Sequence, residues 1–302
     1  MPNTMGNLPL IISREATRVW NLASEKTVSE YNKIFKTVKS TGAYEEGGSL
    51  TGLGLAPVLN ESAAVTYENL AQGAYERFTN VMYGLGTILS YQAAKNKIWA
   101  RPLEAGIQSL RKSCEQTREY IGADIFNYGF DSVTYGDGTY LFSASHPGYG
   151  GGPTQSNLLS PASDLNENAL ETMVIAIKNI TDEKGLRLNL QPRKLIISNS
   201  DVFNASRYFN TVARVGTAMN DINAIRYENA IPEGFQTWSY LDDQDAFYIT
   251  TDSAQGLEYF EREPLELVTD KDFDNRNLKW AAYLWFCFGV WNWRCVYGSQ
   301  GA

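Results

Sequence analysis

The longest regular pattern in the sequence runs from Arg101 to Gly129, and it limits the folds that this chain can adopt. Apolar side chains recur there at steps of three or four, which places them on one face of an α-helix. That face comprises Leu103, Ile107, Leu110, Cys114, Thr117, Ile121, Ile125 and Tyr128. Charged residues fall mostly on the opposite face, among them Arg111, Lys112, Glu115, Arg118 and Glu119. A helix of this length is about 40 Å long, which favours an elongated subunit over the plainer alternative, a core helix of a globular enzyme.

The composition is that of a folded protein with a large core. Of the 302 residues, 43% are hydrophobic and 20% are charged. The net charge of −8 argues against tight nucleic-acid binding, which usually needs a basic excess. The N-terminus lacks the basic and apolar segments of a signal peptide. We therefore expect a protein made in a reducing cytoplasm, with Cys114, Cys287 and Cys295 as free, buried thiols.

The first forty residues divide into two parts. Residues 1–12 look like a flexible lead, and residues 14–39 show a loose apolar stripe typical of two short helices divided near Ser24–Lys26.

Residues 41–77 are rich in glycine and small side chains, and we interpret them as a projecting hairpin or loop. Ser49–Leu55 alternates leucine with small residues, which is the period of a strand, and Ala63–Tyr67 is its predicted partner. A projecting apolar arm is usually ordered by a neighbouring molecule; a solvated surface loop is the alternative.

The rest of the chain predicts a mixed α+β fold. We expect a strand and a short helix within 78–99, a hairpin within 131–142, helices at 164–182 and 201–213, and strands at 194–198, 246–251, 257–260 and 265–268. The most hydrophobic run, 278–297, has an unbroken apolar part of only about a dozen residues, whereas a membrane span needs ~20. Two buried strands bent near Gly289 fit it better.

The residue types for catalysis or metal binding are sparse. The single histidine, His146, excludes sites with several histidine ligands. Ser143 and Ser145 are too near it in sequence for a triad, and no G-x-S-x-G motif is present. The glycines of 148–152 lack the lysine of a P-loop. The acidic residues Asp242, Asp243 and Asp245 lack EF-hand spacing. We therefore predict no cofactor, no metal and no catalytic residue.

Three stretches together carry a resemblance. The first joins Tyr44-Glu45-Glu46 and Gly52-Leu53-Gly54 to Val65-Thr66-Tyr67 and Tyr83-Gly84-Leu85-Gly86. The second is Asp137-Gly138 followed by Leu141–Pro147, LFSASHP. The third joins Gly185-Leu186-Arg187 to Gln191–Ile197, QPRKLII. In this order and spacing, from Tyr44 to the C-terminus, the chain resembles the major capsid proteins of tailed bacteriophages, which have the Hong Kong 97-type fold, and in particular the branch with Mu-like major head subunits.

The resemblance implies a subunit in several parts. These are an N-terminal arm (1–40), an extended loop (41–77), a peripheral domain with a long spine helix (78–132), an axial domain (133–244) and the C-terminal strands of the peripheral domain (245–302). Subunits of this family form pentamers and hexamers, and their extended loops lie across neighbouring subunits. The implied contact residues here are Leu50, Leu53, Leu55, Val65 and Tyr67.

The resemblance also implies partners and a location. The shell would enclose double-stranded DNA without specific binding, in a virion whose subunits are made in the cytoplasm of a bacterial host. A portal is an expected partner. The arm lacks a long charged helical extension, which suggests a separate scaffolding protein or a cleavage that has already removed a longer segment, and Met1 favours the former. No membrane is involved. No Lys–Asn crosslinking pair of the family can be matched. Two alternatives stay open: an encapsulin-like nanocompartment shell, and a soluble α+β hydrolase that uses His146.

Overall fold

A computed structural model describes residues 8–26, 28–61, 64–96, 98–213 and 222–302. The helices in these ranges are α1 (Leu8–Lys26), α2 (Tyr91–Lys95), α3 (Ala100–Asn127), α4 (Glu167–Asn179), α5 (Val202–Asn210) and α6 (Ala224–Tyr227). The strands are β1 (Lys36–Lys39), β2 (Tyr44–Leu50), β3 (Gln72–Thr79), β4 (Val81–Leu89), β5 (Pro192–Ile197), β6 (Phe235–Thr237), β7 (Phe247–Thr251), β8 (Leu257–Lys271), β9 (Leu278–Val290) and β10 (Val296–Ser299). The predicted mixed α+β class is confirmed.

The chain divides into two compact units that are interleaved in sequence. The first unit comprises Met1–Glu45, Thr79–Gly122 and Tyr259–Phe288. The second comprises Glu46–Phe78, Ala123–Glu258 and Gly289–Ala302.

The first unit is built on a four-stranded sheet with strand order β1-β8-β9-β4. β4 and β9 are antiparallel, with Val81 opposite Phe286 and Leu89 opposite Leu278. Every second residue of β9 is buried from Leu278 to Phe286, so one face of the sheet forms core. Gly106 of α3 lies against this face at Thr87, where an added Cβ would stand 3.3 Å from the hydroxyl.

The long helix α3 confirms the predicted element within two residues at each end. The first half of its predicted apolar face, from Leu103 to Cys114, is buried. The second half of that prediction is wrong: Tyr128 is 47% exposed, whereas Arg118 and Glu119, which we placed on the solvent face, are buried. Both charges are tolerated because they have polar partners, and apolar periodicity cannot detect such partners.

Most of those partners lie in the segment that follows α1, and one lies on α3 itself. The Glu119 carboxylate accepts hydrogen bonds from the backbone N–H of Glu30 (2.7 Å) and of Tyr31 (3.1 Å). Arg118 donates to the Tyr31 hydroxyl (3.0 Å) and pairs with Glu115 (3.2 Å). A buried carboxylate thus fixes the backbone of residues 30–31 against the long helix.

The predicted arm needs a correction. Instead of a flexible lead to residue 12 and two short helices, a single helix, α1, begins at Leu8 and ends at Lys26. Ile12, Ala16, Val19 and Trp20 form one buried stripe along it, and this stripe keeps it continuous. Residues 36–39, which we expected to be helical, are β1. Residues 1–7 of the predicted lead lie outside the described residues.

The second unit contains a four-stranded sheet with strand order β10-β7-β5-β6. β5 is buried, as predicted, and lies between antiparallel β7 and parallel β6. Helix α4 presents the predicted apolar face, with Leu170, Met173 and Ile177 buried. Its start is later than predicted, because Asn166, rather than Ser163 or Asp164, caps it by accepting from the Ala169 N–H (2.8 Å).

Two predictions for the C-terminal third differ in outcome. The run 278–297 does form two strands, β9 and β10, but the break between them lies at 291–295, with a short 3₁₀ turn at Trp293–Cys295, and Gly289, where we expected it, lies inside β9. The short strands predicted at 257–260 and 265–268 are instead one strand, β8. Its second half is largely exposed, so it lacks the apolar run that marks a strand in sequence, and pairing with the long β9 extends it.

The three cysteines are free and buried, as predicted. Within the described ranges, no helix has the length and apolar character to cross a membrane.

Candidate functional site

The segment that the sequence singled out, residues 41–77, forms a two-stranded ribbon with a long irregular end. Most of it belongs to the second unit, which takes in Glu46–Phe78. β2 ends at Leu50, so the strand predicted at 49–55 is present only in its first two residues. β2 pairs with β3, and the predicted partner strand at 63–67 is wrong, because the described residues there, from Ala64 on, form no strand. Gln72–Thr79 is polar, and pairing stabilises it without an apolar run of its own. Beyond β2, Thr51 closes the ribbon, because its N–H donates to the Ala71 carbonyl and its hydroxyl accepts from the Ala71 N–H, both at 2.9 Å.

Large apolar side chains of this segment face solvent. The five predicted contact residues are between 54% and 90% exposed: Leu50, Leu53, Leu55, Val65 and Tyr67. Leu53, Leu55 and Val65 also line a cleft of about 570 Å³ between residues 53–59 and 65–68. Glu68 stands at the edge of this cleft, where it accepts from the Gly54 N–H (2.9 Å) and lies 3.7 Å from the Lys184 ammonium. An exposed apolar surface of this kind on a projecting segment is typical of a protein–protein contact.

The base of the segment is anchored by Trp291, a residue that the sequence analysis did not single out. The Trp291 ring packs edge-on against Phe78, with 4.8 Å between ring centroids. The ring also lies against Gly47, where an added Cβ would stand 2.8 Å from it, so only glycine allows this approach. The indole N–H donates to the Glu258 carboxylate at 2.7 Å, which fixes the ring orientation.

A second anchor joins β3 to the turn after α3. The Glu76 carboxylate accepts from the Gly136 N–H. Gly136 also lies directly on the Tyr75 carbonyl, where any Cβ would overlap it. Burial raises the pKa of Glu76 to about 7; the Gly136 hydrogen bond opposes this shift and the nearby Asp137 charge adds to it.

The LFSASHP stretch folds around His146, which is fully buried. Its ring stacks on Trp293 with centroids 4.1 Å apart and planes parallel within 1°. Nδ1 lies 2.6 Å from Asp137 Oδ2 and 3.1 Å from the Thr139 hydroxyl. Burial disfavours the Asp137 carboxylate, but hydrogen bonds from His146 and Thr139 outweigh that effect and hold its pKa below the ordinary value. The Asp-Gly turn and the LFSASHP stretch are thereby tied together.

Asn157 completes this cluster, and it is fully buried. Its Nδ2 donates to the carbonyls of Leu141 (2.8 Å), Val296 (3.2 Å) and Trp293 (3.3 Å). Its Oδ1 accepts from the Ser143 N–H (2.9 Å), so the His146 Nε2, 3.1 Å from the same oxygen, is the donor in that contact. The cluster of His146, Asp137 and Asn157 therefore joins the 137–146 region to the chain's last strand.

This geometry leaves His146 unsuited to be a general base. Both of its ring nitrogens contact groups of the cluster, and its side chain has no exposed surface. The Ser143 hydroxyl instead accepts from the Ser145 N–H (3.1 Å). A triad built on these three residues would need the stretch to unfold locally.

The glycines of 148–152 have a structural explanation. Residues 149–151 form one 3₁₀ turn in which Gly150 and Gly151 have positive φ angles of 64° and 84°. Gly152 lies so close to the Glu183 carbonyl that a Cβ would overlap it.

The acidic residues at 242–245 form a turn. Asp243 accepts from the Asp245 N–H (3.0 Å), and the Asp242 N–H donates to Asn127 (3.0 Å). Within the ranges that the structure describes, no group of His, Cys, Asp and Glu side chains is arranged to hold a metal ion.

Comparisons with known proteins identify the family. A family model described as phage capsid protein matches residues 75–299. The virus-like particle from Pyrococcus furiosus superposes with a TM-score of 0.55 at 8% identity, covering 95% of this chain and 98% of that one. The procapsid of bacteriophage JBD30 superposes with a TM-score of 0.53 at 15% identity, covering 99% of this chain and 76% of that one. The holo-SrpI encapsulin complex from Synechococcus elongatus superposes with a TM-score of 0.50 at 9% identity, covering 92% of this chain and 89% of that one. A comparison with curated proteins finds no match.

The family match covers most of the chain, and the solved structures share its fold at low identity. Both agree with the resemblance carried by the sequence motifs, and the predicted Hong Kong 97-type fold is confirmed. The chain therefore belongs to the phage capsid protein family and is a shell-forming major capsid protein.

Proposed function

We propose that copies of this chain assemble into pentamers and hexamers of a closed icosahedral head, with residues 46–78 as the principal contact between subunits. The observation that carries the proposal is the exposure of Leu50, Leu53, Leu55, Val65 and Tyr67 on this segment. Burying such side chains on a neighbouring copy stabilises a contact by roughly 1.5–3 kcal/mol each. This is enough, over many copies, to favour a shell.

The parts of the subunit follow the division that the resemblance implies. The arm is 1–40, the extended loop 41–77, the peripheral domain 78–132 together with 245–302, and the axial domain 133–244. The head encloses double-stranded DNA without specific binding, in line with the net charge of −8. A portal and a separate scaffolding protein are its expected partners, and synthesis takes place in the cytoplasm of the host bacterium. Membership of the Mu-like branch stays a prediction.

The test is negative-stain electron microscopy with sedimentation, on the chain alone and then with its neighbouring genes. We expect closed shells, tubes or capsomer rings. A double variant, Leu53→Ser with Leu55→Ser, should yield folded subunits that do not form stable shells. The matched control is Leu188→Ser, which changes an exposed leucine outside the contact segment. Normal shells from the double variant would show that residues 46–78 are not the principal contact between subunits. A wild-type chain that stays a monomer or dimer under every condition would contradict assembly itself.

A nanocompartment shell is the second candidate, because the encapsulin of Synechococcus elongatus shares the fold. The contents of purified particles separate the two: nuclease-protected DNA supports the head, and a co-purifying protein cargo supports the compartment. We propose no catalysis for this chain, since His146 is sealed inside its cluster. Loss of a turnover activity in His146→Ala, with assembly intact, would contradict that.

A further inference from the structure

The turn at residues 135–139 is held in place from two sides. The Tyr135 hydroxyl donates to the Trp291 carbonyl at 2.7 Å. The Asp137 carboxylate is fixed by His146 Nδ1 and by the Thr139 N–H (2.9 Å) and hydroxyl (2.7 Å). The position of the Gly136 N–H between these two attachments is therefore set by the body of the unit, independently of the extended loop.

β3 closes on this fixed turn through two consecutive residues. The Glu76 carboxylate accepts from the Gly136 N–H, and the Tyr75 carbonyl lies against the Gly136 Cα. Because Gly136 has no side chain, the strand and the turn approach at backbone distance. Glu76 thus links the base of the loop to the body through one carboxyl group.

The surroundings of Glu76 disfavour a negative charge. The group is partly buried, and the next residue after its hydrogen-bond donor is Asp137, itself a carboxylate. Among the described residues, the hydroxyls of Tyr135 and Tyr149 also interact electrostatically with Glu76. Burial first, and then the nearby carboxylates, raise the pKa of both tyrosines, so they stay neutral through the physiological range. His146 is engaged by the Asp137 carboxylate through Nδ1.

We propose that Glu76 is a proton-dependent latch, which closes the base of the extended loop on the 135–139 turn when its carboxyl is protonated and loosens it when the carboxyl is ionised. The latch lies within one chain, so it does not depend on shell assembly. In an assembled shell, the same proton would set how freely the loop can reorient.

The direction and size of the effect follow from linkage. The pKa of Glu76 is about 7 in the closed state and has the ordinary value of 4.5 when the group is exposed in the open state. Between these two pH values, the closed state therefore holds the proton on Glu76 more often than the open state does. Closing is therefore favoured below pH 4.5, and opening increases as the pH rises to about 7. An unscreened shift of this size corresponds to more than a hundredfold in the opening equilibrium; because Glu76 is partly exposed, we expect about tenfold.

The test is amide hydrogen exchange of peptides covering β2 and β3, on the full chain at pH 5 and pH 8, corrected for intrinsic exchange rates. In the wild type we expect opening to increase about tenfold at the higher pH. Glu76→Gln, which keeps an acceptor but cannot ionise, should show no such increase. Glu61→Gln is the matched control, because it removes an exposed carboxylate from the same loop and should behave like the wild type.

A second measurement uses the wild-type protein alone, so it does not depend on the folding of a variant. Carboxyl ¹³C chemical shifts of the glutamate-labelled chain should contain one group that titrates close to pH 7. If every glutamate titrates below pH 5.5, or if β2 and β3 exchange with the same opening constant at both pH values, the latch does not exist.

Discussion

Asn157 offers the sharpest test of why the LFSASHP stretch holds its shape. Its side chain serves five hydrogen-bonding groups at once, three carbonyls, one backbone N–H and His146 Nε2, and it is fully buried. Asn157→Ala leaves the Ser143 N–H and the His146 N–H without an acceptor, at about 1–3 kcal/mol each. Including the carbonyls, we expect the free energy of unfolding to fall by about 3–5 kcal/mol.

Asn157→Asp distinguishes hydrogen bonding from packing, because aspartate has the same shape. At pH 7 it turns the donating end into an oxygen that faces the carbonyls of Leu141, Trp293 and Val296. We therefore expect Asn157→Asp to destabilise the protein at least as much as Asn157→Ala at pH 7. At low pH the aspartate variant should come closer to the stability of the wild type, because a neutral carboxyl can donate one hydrogen bond.

The assay is reversible urea unfolding at a protein concentration low enough to prevent assembly, since assembly would stabilise every variant by mass action. Asn179→Ala, at the exposed end of α4, is the control and should change stability by less than about 0.5 kcal/mol. An Asn157→Asp variant as stable as the wild type would show that the five hydrogen bonds do not hold this cluster together.

Two further predictions concern buried groups. Glu119→Ala should lower the free energy of unfolding by about 2–4 kcal/mol, because the backbone N–H groups of Glu30 and Tyr31 lose their acceptor. Glu119→Gln should lower it by about half as much, because the amide oxygen can still accept. If urea unfolding gives equal losses for the two variants, the hydrogen bonds are not what Glu119 contributes. Burial raises the pKa of Cys287 to about 12 and also raises the pKa of Cys114 and of Cys295. The native protein at pH 8 should therefore react only slowly with a thiol reagent, whereas the protein in denaturant should show three reactive thiols. Three thiols that react fast in the native protein would contradict their burial.

The elements that the sequence predicts well are those with a strong local period. α3 and α4 each carry an apolar stripe over several turns, and β5 is a short apolar run after a proline, so their existence and type follow from residues close together in the chain. The burial of Cys287 follows from its apolar neighbours in sequence, and that of Cys114 from its place on the apolar stripe of α3. The His-Pro motif, read as a family resemblance, also led to the correct fold.

The residues that hold the candidate site together could not be predicted in this way. Trp291 is more than 200 residues from Phe78 and Gly47, and Asn157 donates to carbonyls on both sides of it in sequence. The prediction that Glu119 faces solvent was wrong because apolar periodicity assigns a carboxylate to solvent unless its partner is known. That partner is the backbone of Tyr31, 88 residues away. A signal for Gly136 was present in the Asp-Gly turn, but not its contact with Tyr75.

The contrast between the base and the end of the extended loop has a physical reason. A subunit has to fold before it meets its neighbours, so the base of the loop must be fixed by contacts within the same chain, and Trp291 with Phe78 and Glu76 with Gly136 supply these. The end of the loop keeps Leu55 and Tyr67 exposed, at 78% and 90%, so they add almost no hydrophobic stabilisation to the isolated subunit and would add it only if another copy covered them. Changes at Trp291 should therefore act on the folding of the single chain, whereas changes at Leu55 should act on assembly and leave that folding intact.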